Sequence, residues 1–144
     1  MDIHHAMIVR NKPQRLYRAL TEARDLEVWM DAPTIANPDV GSTIELRYDQ
    51  GQRTLKMEIT HLEANKQVKW RVIRPMWSND VFDQIITWRL LPYEASTLVD
   101  FRMEGWPQDD DVYASVSYKW ASFMMRLKIY MGDRRELASL LPIE

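Results

Sequence analysis

Between Asp2 and Arg10 the chain alternates, with Ile3, His5, Met7 and Val9 on one face, and a period of two predicts a strand. Asn11-Lys12-Pro13 follows. Asn11 is suited to cap a helix, and proline is tolerated in the first turn because its missing N–H had no partner there. Leu16, Tyr17 and Leu20 then recur at helical spacing. Thr21 to Arg24 reads as a break, and Asp25 is placed to cap a second short helix that carries Leu26, Trp29 and Met30 and stops at Pro33.

From Pro38 the period returns to two. A turn at Pro38 to Gly41 leads to Ile44, Leu46 and Tyr48, and Asp49 to Gln52 closes a hairpin onto Leu55, Met57 and Ile59. After a turn at Ala64 to Lys66 come Val68, Trp70 and Val72. A loop from Pro75 to Asp80 holds Trp77. Ile86, Trp88 and Leu90 form the next inward face, and beyond a turn at Pro92 to Ser96 so do Val99, Phe101 and Met103. After Gly105-Trp106-Pro107 the period changes again. Asp109 to Asp111 put carboxylates where a helix N-terminus favours negative charge. Tyr113, Val116, Trp120, Phe123, Met124, Leu127, Tyr130 and Met131 then make one long apolar stripe at spacings of three and four, with Ser115, Lys119, Ser122 and Arg126 opposite. Gly132 is placed to end that helix, and a last helical piece runs from Arg135 to Leu141.

The order predicts one α+β domain over residues 1–144: a strand, two short helices, a meander that brings the sheet to six or seven antiparallel strands, and a long helix. One face of such a sheet must be covered, and only the last long helix has the length and the apolar stripe to do it. A twisted sheet wraps around a straight helix, a helix-grip arrangement that leaves a gap where the two curvatures disagree.

Composition narrows the function classes. Hydrophobic residues make up 46% and charged residues 28% of 144, a globular balance. The net charge of −2 lacks the basic excess of a nucleic-acid binder. With no cysteine there is no disulfide, thiolate zinc site or cysteine nucleophile. No signal peptide is expected from the N-terminal residues, nor a membrane span from stretches well short of about 20 apolar residues, so the cytoplasm is the expected location. Six tryptophans and nine methionines suit either a well-filled core or an adaptable cavity wall.

Several stretches resemble one superfamily in order and spacing. Asn11 to Thr21 resembles a proline-led first helix ending in Ala-Leu-Thr, and Leu26 to Met30 its second helix. Pro38-Asp39-Val40-Gly41-Ser42 is similar to the glycine turn before the second strand, Gln67-Val68-Lys69-Trp70 to a turn-then-tryptophan strand, and Tyr118-Lys119-Trp120 with Leu127 to the closing helix. Together they resemble the START-like (SRPBCC, or Bet v 1-like) helix-grip domains, and within them the activator of Hsp90 ATPase homologue family with its polyketide cyclase-like members. The turn at Asp49 to Gln52 departs from the family in holding a single glycine. The resemblance implies the fold. It leaves activity open, because that scaffold hosts carriers, cyclases, hydrolases and co-chaperone domains.

Catalytic chemistry has few candidates. His4 and His5 point to opposite faces by parity and cannot share an ion. A metal site needs three or four converging ligands, which no spacing here supplies, so no metal or cofactor is expected. Ser115, Ser117 and Ser122 have no histidine nearby in sequence, and no Gly-x-Ser-x-Gly elbow or phosphate-cradling loop occurs. General acid–base work is left to His61, which parity places in line with Ile59, and to Glu104 and Asp80. The better lead is the aromatic set. Loop tryptophans are harder to explain by core packing than strand tryptophans, and Trp77 and Trp106 are expected to rim one end of the groove, facing Tyr113 and Trp120. The expected binding surface comprises Trp29, Met30, Tyr48, Met57, Trp70, Arg74, Trp77, Trp88, Phe101, Trp106, Tyr113, Trp120 and Met124, with Tyr48, Tyr113 and Arg74 as polar handles.

Three functions follow: binding of a small apolar or aromatic molecule, a cyclase- or hydrolase-type enzyme acting on such a molecule, and a chaperone-associated interaction domain. Homodimerisation is an expectation from the sheet's edge strands.

Overall fold

A computed structural model describes residues 2–77, 83–108 and 110–133. Seven strands and three α-helices are seen among them, in the order β1 (Ile3–Val9), α1 (Pro13–Thr21), α2 (Ala23–Trp29), β2 (Thr34–Ile35), β3 (Thr43–Tyr48), β4 (Arg53–Glu63), β5 (Gln67–Arg74), β6 (Ile85–Tyr93), β7 (Ser96–Glu104) and α3 (Asp111–Tyr130). The strands form one antiparallel sheet in the order β1-β7-β6-β5-β4-β3-β2. From β3 to β7 the chain meanders between neighbours, and β1 returns against β7 with Ile3 opposite Met103. The last piece expected to be helical, Arg135 to Leu141, and the candidate Asp80 lie outside the described residues.

The alternation seen in the sequence becomes the burial pattern. Ile44, Leu46, Leu55, Met57, Val68, Trp70, Ile86, Trp88, Val99, Phe101 and Met103 are all buried, and α3 covers them with Val116, Trp120, Phe123, Met124 and Leu127. The middle of this palm is filled by rings. Phe101 lies 4.9 Å from Trp88 and 5.2 Å from Trp120, and Trp70 lies 5.5 Å from Trp88. Trp29 closes the far end, edge-on to Trp88 at 6.0 Å. Edge-to-face and offset geometry adds roughly 0.5–1.5 kcal/mol per pair to the burial of each ring.

Local signals depart from expectation in four places. Asn11 does not cap α1. Lys12 takes that position without a side-chain bond, while Asn11 Nδ2 reaches across to the Met131 carbonyl at 3.1 Å. Asp25 does not cap α2 either, because the helix starts two residues earlier after a break at Glu22 alone. β2 is the strand that alternation missed, being only two residues long and paired with Leu46 and Glu45. Finally, a β-bulge between Ile59 and His61 shifts the register of β4 against β5. A bulge adds one residue to one strand and so reverses parity beyond it.

At α3 the expected acidic N-terminus is realised by Asp110, whose Oδ1 accepts from the Tyr113 N–H at 3.0 Å. Gly105 sits at φ +92°, and a β-carbon there would lie 2.4 Å from the Asp83 carbonyl oxygen. Only glycine lets the end of β7 press so closely on the backbone leading into β6.

Candidate functional site

The two loop tryptophans come together as expected. Trp77 follows β5 and Trp106 follows β7, so antiparallel pairing delivers both to the same end of the sheet. Their rings are 6.4 Å apart. The first turn of α3 brings Tyr113 edge-on to Trp106 at 5.5 Å and 90°. Tyr113 is fixed in turn by its hydroxyl, which donates to the Asp2 carbonyl at 2.7 Å. Beside this tier lies a cleft of about 360 Å³, between the start of the β5–β6 connection and the first half of α3, lined by Met76, Trp77, Val116, Arg53 and Lys119 among others. A second cleft of about 330 Å³ shares Arg53, Met76 and Trp77 and adds Arg74 and Thr54. The two form one rim groove with an aromatic wall and a cationic border. Arg53 pairs with Asp49 at 2.5 Å, and Lys119 lies over the Phe123 ring at 5.2 Å. Arg74 is exposed and makes no ion pair among the described residues.

The remaining expected site residues fall elsewhere. Trp29, Met30, Met57, Trp70, Trp88, Phe101, Trp120 and Met124 are at most 4% exposed and pack within the palm. Trp29 Nε1 donates to the Ala19 carbonyl at 2.8 Å. The Tyr48 hydroxyl is spent on the Met30 carbonyl at 2.8 Å, and burial, with a smaller push from the Asp31 charge, raises its pKa far above the ordinary phenol value. His61 is exposed, turned outward by the bulge rather than lying in line with Ile59, and Glu104 is exposed as its parity predicts.

Sequence distance hid another contact. His5 stacks on Phe101 at 6.1 Å, and its Nε2 lies 3.2 Å from Ser117 Oγ and 3.1 Å from the Ser117 carbonyl. A serine beside a histidine suggests an activated nucleophile. A carbonyl oxygen only accepts, however, so Nε2 must carry a proton to bond it and is then no base for that hydroxyl. His4, on the opposite face, bonds Asp100 at 2.6 Å. Among the described residues no three His, Asp or Glu side chains gather closely enough to hold a metal ion, and no helix is long and apolar enough to cross a membrane.

A third polar cluster joins the helices. Arg15 grips Asp25 through both terminal nitrogens at 2.9 and 3.2 Å, and the Tyr130 hydroxyl donates to the same carboxylate at 2.5 Å. Burial pushes the Asp25 carboxyl up, but these hydrogen bonds and the Arg15 and Arg24 charges outweigh it and hold the group below the usual carboxylate range. Arg126 on α3 adds a bond from Nε to the Trp29 carbonyl at 3.0 Å, placing a cation at the C-terminus of α2. These bonds clamp α1, α2 and α3 together at the end away from the rim groove.

Arg53, Met76, Val116 and Lys119 were not anticipated as groove residues. Their placement depends on where the β5–β6 connection meets α3, which no local pattern encodes. Gln84 was also missed. It is 1% exposed and lies two residues before Ile86 and four before Trp88, so carrying the parity of β6 back through its first residue would have marked it.

Comparison with known proteins agrees with this architecture. The solution structure of the Aha1 dimer from Colwellia psychrerythraea is 28% identical, with a TM-score of 0.80 over 91% of this chain and 96% of that one. An HSP90 activator from Plasmodium falciparum is 15% identical, with a TM-score of 0.76 over 92% and 96%. DynU16, from the dynemicin biosynthetic locus, is 16% identical, with a TM-score of 0.77 over 96% of this chain and 48% of that one. No curated protein matches significantly. Residues 10–132 match the model of the family described as activator of Hsp90 ATPase homolog 1-like protein, and the chain belongs to that family.

Proposed function

We propose that this domain binds a small molecule with an aromatic or apolar body and an anionic group, received in the rim groove beside Trp77. The observation that carries the reading is the convergence of Trp77, Trp106 and Tyr113, from two loops and a helix start, beside a cleft of about 360 Å³ bordered by Arg53 and Lys119. Concave sites with aromatic walls and a few placed polar groups are the usual form of small-molecule sites. The strand tryptophans support the site from behind. The groove holds no paired nucleophile and base among its described residues, so binding, not bond-making, is the activity proposed. Titration with fluorene-2-carboxylate, followed by tryptophan fluorescence in the parent and in Trp77→Ala, tests this. Saturable quenching in the parent that weakens about tenfold in the variant, or about 1.4 kcal/mol, is the expected result. No saturable response with it or with other aromatic and acyl carboxylates defeats the proposal.

A second reading, a protein-interaction surface for a chaperone or a second copy, draws on the outer face of α3. Tyr118 is 77% exposed, and Met125, Ile129 and the neighbouring Val28 on α2 are exposed as well. Such an apolar stripe at the surface suits a partner, and the Colwellia relative is a dimer by its description. Sedimentation of the parent and of Met125→Glu distinguishes the second copy. Retention on immobilised Hsp90 in moderate salt tests the chaperone.

A further inference from the structure

The cations around the rim groove differ in what already holds them. Arg53, shared by both clefts, is paired with Asp49 at 2.5 Å. Lys119, in the cleft beside α3, lies over the Phe123 ring at 5.2 Å. Arg74 lines only the other cleft, and its guanidinium has no ion pair, hydrogen bond or ring partner among the described residues. Its register partner is a second cation. Arg74 lies opposite Lys56 on β4, which also makes no ion pair among the described residues. Glu45 flanks Lys56 on the other side, but Arg47 holds that carboxylate at 3.0 Å. Glu58, two residues along β4, is held by Arg71 at 2.9 Å. Among the described residues, Arg74 and Lys56 therefore face each other with the nearby carboxylates already taken.

Like charges directly opposite on neighbouring strands repel, and an anion at Arg74 offsets that repulsion. A guanidinium suits a carboxylate in particular, because its fork of N–H donors meets both oxygens at once. The remaining walls divide the groove in the same sense. Gln52 and Thr54 stand with Arg74 in one cleft, and Val116 and Tyr118 stand in the other. Met76 and Trp77 belong to both clefts, so a flat body laid on Trp77 reaches from one into the other. We infer that the groove takes an elongated acid with its carboxylate at the end of an apolar body. The body lies against Trp77 and Val116, and Arg74 reads the charge and thereby sets specificity.

The inference rests on the rim-binding reading, and three probes separate the two. Fluorene-2-carboxylate carries its acid at the end of the ring system and fluorene-9-carboxylate at the middle. Fluorene-2-carboxamide replaces the terminal acid with a neutral group of the same size. The 2-acid is expected to bind the parent about tenfold tighter than either of the others, between the worth of an exposed ion pair and that of a hydrogen bond to a charged group. Arg74→Gln is expected to remove most of the preference for the 2-acid over the amide, and more of it than Arg53→Gln or Lys119→Gln removes. In the ¹⁵N-labelled parent, the Arg74 Nε–H signal should move downfield with the 2-acid and not with the amide, a readout that does not depend on a variant folding. A preference for the 2-acid that survives Arg74→Gln overturns the inference and leaves the binding site standing. So does a 2-acid complex in which the Arg74 signal stays unmoved, and so does equal binding of the 2-acid and the 9-acid. Binding of none of the probes overturns both readings.

Discussion

The Lys128 ammonium lies 2.8 Å from the Asp133 carboxylate with both side chains only 1% exposed, and it also donates to the Ile8 carbonyl at 3.1 Å. The last turns of α3 are thereby tied to β1, and Asp133 adds a bond from the Arg10 N–H at 2.8 Å. Removing one partner of a buried pair leaves an uncompensated charge and costs about 3–5 kcal/mol. Asp133→Asn is expected to destabilise the domain by that amount in urea denaturation. A loss below about 1 kcal/mol would mean that water reaches Lys128 in solution.

The palm and the rim should respond differently to truncation. Trp88 touches Trp29, Trp70, Trp120 and Phe101, so Trp88→Ala leaves a cavity and is expected to cost about 3–5 kcal/mol. Trp77→Ala should cost clearly less, since its ring is half-exposed, while abolishing most of the binding. Thermal melts of both variants, run beside the fluorene-2-carboxylate titration, check the contrast.

Acid should weaken the three-helix clamp. Asp25 titrates below its ordinary value in the folded chain, so the unfolded chain binds its proton first as pH falls. Its contribution is complete above the unfolded carboxylate value, near about 3.9, and is lost as pH drops through the folded one. Asp25→Asn is expected to lower stability at neutral pH by about 1.5–3 kcal/mol, the range for hydrogen bonds to a charged group. It should also flatten the acid limb of a stability–pH curve. An unchanged acid limb would assign it to other carboxylates.

Gly105→Ala combines a φ of +92° with a β-carbon at 2.4 Å from backbone oxygen. The expected loss exceeds about 1 kcal/mol, and it should be accompanied by amide shift changes at Gln84 and Trp106. A neutral substitution would mean that β7 and β6 part easily at this end.

The sheet was readable because alternation is a property of consecutive residues: Ile44, Leu46, Val68, Trp70, Trp88 and Phe101 each declare a face through their immediate neighbours. β2 was too short to alternate. His61 was misplaced because a single inserted residue reverses parity and leaves no mark in composition. Contacts between remote segments were out of reach for a different reason. His5 meets Ser117 across 112 positions and Asp25 meets Tyr130 across 105, and each depends on the closed fold. The aromatic tier was the exception. Trp77 and Trp106 each follow a strand by a few residues, and the ends of antiparallel strands can be placed once their order is known. Of the cations bordering the groove, Arg74 ends β5 and could be placed in the same way, whereas Arg53 and Lys119 had no such anchor.

The position of β1 also bears on how the chain is made. Its hydrogen-bonding neighbour, β7, begins nearly ninety residues downstream of its last residue, and the ammonium that grips its end is 120 positions away. A ribosome would release this strand long before anything that can hold it, and a growing chain would carry its apolar face and open edge through most of synthesis. The entropy of closing so large a loop must be met before its contacts can form, so the docking of β1 against β7 and α3 is expected to come late in folding.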